Sequence, residues 1–207
     1  MIEVLISNKS NYLFFLICYF IGSIPFGYIF YKFIKKGDIR NHGSGNIGAT
    51  NVNRLIGKRF GIITLILDFL KTFCPCLIMH KYFGIEVGAV SGFLTIIGHI
   101  FPIWLKFKGG KGVASYMGFM LATSWPLFIV LIITWLIIVR IFKYSAVAAI
   151  VSILINLITF KIILFTQFNY NILLWIKGDP IEFKFILFIS IIILIKHYTN
   201  VINIFKK

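Results

Sequence analysis

Six apolar runs are spaced along the chain, separated by short polar and basic segments. They cover about Asn11–Phe33, Gly61–Tyr82, Val87–Leu105, Gly112–Val139, Ser145–Thr166 and Phe183–Ile195. An apolar stretch of roughly 18 residues or more is long enough to cross the hydrocarbon core as a helix. In lipid, every backbone amide must find its partner inside the protein, so these runs are expected as helices. The first contains Gly22-Ser-Ile-Pro25-Phe-Gly27. Its small residues permit close helix packing and its proline a kink. The fourth run carries Ser124-Trp-Pro126 near its middle. It reads either as one tilted span or as two short helices joined at that break. No internal repeat is visible.

Composition agrees with this pattern. Hydrophobic residues make up 59% of the 207 and charged residues 13%, against about 25% charged in a soluble domain. A single integral-membrane domain over residues 1–207 is expected. The first apolar run should stay as a span, because Glu3 is acidic and no basic n-region or small-residue cleavage site accompanies it. Cys74-Pro-Cys76 lacks the two-residue spacer of redox and zinc pairs and reads as structural. The net charge of +15 points to loops obeying the positive-inside rule, or to anionic substrates and lipids, before it points to nucleic acid.

The basic residues orient the chain. Lys32, Lys35, Lys36, Arg40, Arg54, Lys58 and Arg59 make the segment from Lys32 to Arg59 basic, with Asp38 its only acid. That bias places this segment in the cytoplasm and the N-terminus outside. If Gly112–Val139 is two helices, the Arg140 turn and the Lys206–Lys207 tail also fall inside. The expected architecture is therefore an all-α bundle of about seven transmembrane helices, N-out and C-in. It puts three polar segments on one face: Arg40–Arg54, Gly98–Ser115 and Lys196–Asn200.

The middle segment packs three glycines and two lysines into Lys108-Gly-Gly-Lys-Gly112. Successive amides in such a turn can cradle an anion, and the helix opening at Gly112 points its N-terminus the same way. The alternative is a flexible basic loop at the headgroups. It is not a Walker loop, since Leu105 and Gly112 stand where that motif needs Gly and Ser/Thr. In the first segment, Ser44 and Asn46 are positioned to cap a helix starting near Ile47, with Thr50 and Arg54 on one side of it. Hydroxyl, amide and guanidinium groups there suit a phosphate monoester; the alternative is a capped surface helix. In the third segment, His197 and Asn200 are one helical turn apart; His197 can act as base or only orient a hydroxyl while a substrate phosphate takes the proton, and the alternative is a satisfied interface histidine. Asp68 and Lys71 share a helix face inside the second run, either as a structural ion pair or as support for a polar site. His99 precedes Pro102 and is either structural or a ligand. The six acids are scattered and no metal spacing occurs, so neither a metal nor another cofactor is expected.

Spacing alone leads to an enzyme or transporter of a phosphorylated, lipid-like substrate. Four stretches add to this: Gly22–Gly27, Ser44–Arg54, Leu67-Asp-Phe-Leu-Lys71, and Gly98–Pro102 running into Phe107–Ala114. In that order they resemble the bacterial membrane glycerol-3-phosphate acyltransferases that use acyl phosphate as donor, over essentially the whole chain. Near the end, Lys196 and Asn203 stand where that family usually has arginines, and Thr72 replaces a usual glycine. The resemblance implies acyl transfer from acyl phosphate to the 1-hydroxyl of glycerol 3-phosphate, giving lysophosphatidic acid and phosphate. It implies a site facing the cytoplasm at the cell membrane, and no need for acyl-CoA, carrier protein or nucleic acid. His197 and Asn200 are then the candidate catalytic residues. Ser44, Gly45, Asn46, Thr50, Asn51, Arg54, His99, Lys108, Gly109, Gly110, Lys111 and Gly112 are the candidate substrate-binding residues. The competing class is a transporter of an organic phosphate or phospholipid, whose half-helices also aim N-termini at anions.

Overall fold

The computed structural model of this chain describes residues 10–205. Glu3, Lys206 and Lys207 lie outside the described residues. Nine α-helices and two short 3₁₀ turns are described, and no strand is found among these residues. The helices are α1 Ser10–Ser23, α2 Phe26–Lys35, α3 Ala49–Ile56, α4 Lys58–Phe83 and α5 Ile85–Ile100, then α6 Val113–Thr123, α7 Trp125–Phe142, α8 Ser145–Tyr170 and α9 Pro180–Phe205. Among the described residues, five stretches are long and apolar enough to cross a membrane: Asn11–Lys35, Lys58–Phe83, Ile85–Leu105, Trp125–Phe142 and Ser145–Tyr170. Helix α6 is a shorter apolar helix.

The expected runs are helical, and their punctuation is sharper than a kink. The first run stops at Ser23 and resumes at Phe26. Proline has no N–H to give to the carbonyl four residues back, so the helix breaks at Ile24–Pro25. The fourth run is two helices, separated at Ser124, whose backbone is extended at φ −153° and ψ 107°. Pro126 then stands in the first turn of α7, where its missing N–H costs nothing. Within α4, Pro75 leaves the helix unbroken.

The chain falls into two compact units, one ending at Gly118 and the other beginning at Phe119. In the first, α5 packs against both α1 and α4. The α1–α5 contact is backbone to backbone. A Cβ on Gly22 would strike the Thr95 carbonyl, and one on Gly98 would strike the Tyr19 carbonyl. Where the hydrophobic effect is absent, such close approach is what holds helices together. A separate apolar knot joins Tyr31, Ile39, Ile47, Val52 and Leu105, so the loop before α3 rests on the turn after α5. In the second unit, α8 packs against α7 and α9. The buried Asn156 side chain donates to the Leu127 carbonyl at 2.7 Å, tying α8 to α7.

Gly98→Val is expected to be the least tolerated change at the α1–α5 seam. Its added carbons would also meet the Ser23 amide, which lies 2.8 Å from the position of a Cβ. Overpacking of this kind costs about 1–3 kcal/mol. Thermal unfolding in detergent should show a clear drop; an unchanged midpoint would mean that the seam is looser than described.

A candidate anion-binding site at the start of helix α6

The site is built around a turn and a buried charge pair in the first unit. After α5, the chain makes a 3₁₀ turn at Ile103–Leu105. Lys106 and Phe107 then both take left-handed backbone angles, at φ 52° and 61°. Non-glycine residues seldom do so, and such conformations persist only where the surroundings impose them. Here the Phe107 amide donates to the Pro102 carbonyl at 3.0 Å and the Lys108 amide to the Leu105 carbonyl at 3.2 Å.

The turn is folded back on the end of α5. Gly109 N–H donates to the Ile100 carbonyl at 3.2 Å, and Gly110 N–H to the His99 carbonyl at 3.0 Å. A Cβ on Gly110 would run into the His99 ring at Nε2. Glycine at 110 is therefore needed for contact with imidazole, and the amides of Gly109 and Gly110 serve the fold. This corrects the expectation of a cradle formed by successive glycine amides. The donors left for an anion are the Lys111 side chain and the first amides of α6, which have no acceptor inside their own helix. Gly112, at φ 87°, makes the left-handed step that begins α6.

Beneath His99 sit Asp68 and Lys71 of α4. Lys71 Nζ lies 2.8 Å from Asp68 Oδ1, with both side chains 3% exposed. Lys71 also donates to the Ile24 carbonyl at 2.9 Å, the acceptor at the α1–α2 break. His99 Nδ1 lies 3.5 Å from the same Asp68 oxygen. Ser115 Oγ, in the first turn of α6, donates to the Asp68 carbonyl at 3.0 Å. The pair thus contacts His99, the α1–α2 break and the start of α6.

Lys111 differs from Lys71. Its Nζ is buried yet has no hydrogen-bond partner. Burial pulls its ammonium from the usual 10.5 down to about 8. An ammonium hidden from water without a counter-charge is unfavourable, and an anion at this position would complete it. Lys108 is exposed.

In the basic loop before α3, the structure gives some of the named residues other roles than the sequence suggests. The helix begins at Ala49 behind Gly48, and no side chain caps it; Ser44 and Asn46 do not do so. Instead, the buried Asn51 amide organises the loop. It accepts from the Ser44 amide at 2.9 Å and donates to the carbonyls of His42 and Asn46 at 3.1 and 2.8 Å. Asn51 thus has both ends of its side chain engaged by the backbone. Gly45 takes a left-handed angle, φ 70°, in that loop. Ser44, Thr50 and Arg54 are exposed and Asn46 is half-buried.

Arg40, which the sequence reading left without a role, links this loop to the turn. Its guanidinium grips Asp38 at 2.6 Å and donates to the Leu105 carbonyl at 3.1 Å. That pairing holds the Asp38 carboxyl below the usual carboxylate range. The Asp-x-Arg spacing at 38–40 is the one local signal that would have marked it. Two of the three expected segments are therefore brought together in the first unit.

His197 belongs to the second unit. It is buried in α9, and its Nδ1 lies 2.8 Å from the Ile193 carbonyl. A carbonyl only accepts, so Nδ1 carries a proton. Asn200 follows one turn later and is half-buried.

The chain matches the family model described as glycerol-3-phosphate acyltransferase over residues 12–207. It belongs to that family. It is 40% identical to the glycerol-3-phosphate acyltransferase of Bartonella henselae over 196 residues, covering 93% of this chain and 87% of the relative. Against the Thermotoga petrophila enzyme it is 46% identical over 146 residues, covering 70% and 74%. Among solved structures, it is similar to PlsY (YgiH), an integral membrane glycerol 3-phosphate acyltransferase, in its glycerol 3-phosphate form. The TM-score is 0.83 at 33% identity, covering 96% of this chain and 93% of that one. The lysophosphatidic acid form of the same protein gives 0.79. The resemblance seen in the four motifs is thus confirmed at the level of the family, and the five long apolar stretches among the described residues fit an acyltransferase integral to a membrane.

Lys111→Met tests the anion site in two ways. A lysine whose folded pKa lies below its unfolded value binds fewer protons when folded. It therefore lowers stability at pH 7, and that cost fades as pH rises from about 8 toward 10.5. The variant should unfold at a higher temperature than wild type at pH 7, while losing roughly 10- to 100-fold in activity with the charge-assisted bond. Inorganic phosphate should raise the unfolding midpoint of wild type and leave that of the variant unmoved. A phosphate-induced shift of equal size in both would remove Lys111 from the site.

Proposed function

We propose that this chain transfers a fatty acyl group from acyl phosphate to the 1-hydroxyl of sn-glycerol 3-phosphate, at the cytoplasmic face of the cell membrane. The products are 1-acylglycerol 3-phosphate and inorganic phosphate, so the enzyme performs the first acylation of phospholipid synthesis. The observation that carries this reading is the buried Lys111 ammonium without a partner at the start of α6, in a chain of the glycerol-3-phosphate acyltransferase family. The relatives' name supports the acceptor. The acyl-phosphate donor rests on the motifs quoted above, and the cytoplasmic face on the basic loops around them.

Acyl phosphate is a mixed anhydride and already activated. Its carbonyl needs little further polarisation, and neither acyl-CoA nor a carrier protein need take part. What the protein supplies is proximity and a destination for one proton. The glycerol 1-oxygen attacks the acyl carbon, the new ester C–O bond forms, and the bond from that carbon to the phosphate oxygen breaks. Lys111 and the first amides of α6 hold the departing phosphate. Arg54, exposed on α3 with Thr50 one turn before it and Ser44 in the preceding loop, takes the phosphate of glycerol 3-phosphate with its planar fork. His197 accepts the hydroxyl proton and Asn200 fixes the acceptor.

Purified protein in detergent, where transport cannot register, should release phosphate from acyl phosphate only when glycerol 3-phosphate is present. Acyl-CoA should not replace the donor. His197→Ala should lose about 10²–10⁴ in turnover, as expected on removal of a general base, and should lose the acid limb of the pH–rate profile. Phosphate release independent of glycerol 3-phosphate, or none at all, would overturn the assignment. A His197→Ala enzyme with wild-type rate and pH dependence would remove His197 from the chemistry.

A further inference from the structure

In the second unit, the loop joining α8 to α9 presents Ile172, Leu173, Leu174 and Trp175, and all four are exposed. The loop is shaped rather than slack. Asn171 and Leu173 hold left-handed angles, φ 53° and 62°, which non-glycine residues keep only where the surroundings impose them. The Gln167 side chain pins the loop to α8, donating to the carbonyls of Leu173 and Ile176 at 2.9 and 2.8 Å. Trp175 lies against Trp125, the first residue of α7, with ring centroids 6.0 Å apart.

The depth of this end follows from helix length. From Phe142 back to Trp125 along α7 is about 26 Å, and from Ser145 to Lys161 along α8 about 24 Å, at 1.5 Å per residue. The hydrocarbon core is about 30 Å thick. With the turn between α7 and α8 at one boundary, the tryptophan pair and Lys161 reach the other. Tryptophan is enriched at that level, and a lysine just below it extends its ammonium to the headgroups.

Three lysines gather there. The buried Phe160 ring packs edge-on against Phe183, 5.4 Å between centroids, and leaves no room for a Cβ on Gly178. Lys161, Lys184 and Lys177 are the chain neighbours of these three residues, and each is exposed. Lys161 Nζ lies 5.8 Å from the centre of the Phe183 ring. The two acids nearby are turned to the backbone. Asp179 accepts from the Ile181 amide at 2.7 Å, and the buried Glu182 from the Asp179 amide at 3.0 Å, a reciprocal cap on α9.

We infer that this end of the second unit binds the headgroup of an anionic phospholipid through Lys161, Lys177 and Lys184, with Ile172–Trp175 lying among the acyl chains beside it. The phosphate diester complements the lysines, and the chains cover the loop; a soluble anion would do only the former. Each lysine at an anionic lipid surface contributes about fivefold in affinity, so three together contribute about a hundredfold. The site shares no residue with the one at Lys111.

The first measurement is thermal unfolding of the purified full-length protein in a neutral detergent, titrated with phosphatidylglycerol or phosphatidylcholine. Phosphatidylglycerol should raise the midpoint at a concentration at least tenfold lower. In the triple variant Lys161→Gln, Lys177→Gln, Lys184→Gln that advantage should vanish, while the response to inorganic phosphate through Lys111 stays. Equal stabilisation by the two lipids, or an advantage kept by the variant, would overturn the inference. Loss of the inorganic phosphate response in the variant would assign these lysines to free phosphate and overturn it equally.

The second measurement leaves the lysines in place. Wild type and Trp175→Phe are compared in phosphatidylglycerol vesicles with and without bromine on the acyl carbons nearest the headgroup. The difference between their tryptophan emissions, which belongs to Trp175, should fall by roughly half or more with brominated lipid, because the ring lies at the interface. If it does not fall, the loop stands in water and the inference fails.

Discussion

The ion pair between Asp68 and Lys71 is the constraint on which the first unit depends. Two opposite charges are buried 2.8 Å apart, each side chain 3% exposed, among helices that otherwise present aliphatic and aromatic residues. A lone charge at such depth would be prohibitive, and a pair is retained only where its geometry is good and its remaining valences are met. Lys71 meets them at the Ile24 carbonyl, left at the end of α1 by the break before Pro25. Asp68 lies against His99, whose Nδ1 is 3.5 Å from the Oδ1 that pairs with Lys71, and its own carbonyl receives Ser115. The pair thus joins the α1–α2 break, the end of α5 and the beginning of α6.

This arrangement gives the two lysines opposite parts. Lys71 is saturated by protein groups and works through position. Lys111 is buried without a partner, and its turn is braced by the amides of Gly109 and Gly110 and by the imidazole they cover. A rigid turn that hides an ammonium has settled the ordering cost of the site before any ligand arrives. Stability given up at Lys111 is in keeping with the tension between stable folds and functional sites.

Much of this could be read from the sequence, for identifiable reasons. The apolar runs appeared as helices because lipid leaves the backbone no other choice, and Pro25 and Ser124-Trp-Pro126 marked the real interruptions. Asp68 and Lys71 stood out because charges are rare inside spans. What escaped was any role set by a partner distant in sequence. Asn51 was placed among ligands, yet its amide is engaged by His42, Ser44 and Asn46. The glycine amides of the turn were assigned to substrate, yet they close on Ile100 and His99. Arg40 was passed over because its acceptor, the Leu105 carbonyl, lies 65 residues away. The sequence placed His197 on a helix one turn before Asn200, but only the structure shows that its Nδ1 is engaged by the Ile193 carbonyl of its own helix.

The central claim is that the buried pair acts through position and is not merely packing. The double variant Asp68→Leu with Lys71→Met tests it most directly. Replacing a buried pair by apolar residues of similar size is often neutral or stabilising, whereas removing one partner costs about 3–5 kcal/mol. The double variant should therefore unfold near the wild-type temperature in detergent and still lose at least tenfold in glycerol 3-phosphate-dependent phosphate release. Wild-type stability with wild-type activity would contradict the account.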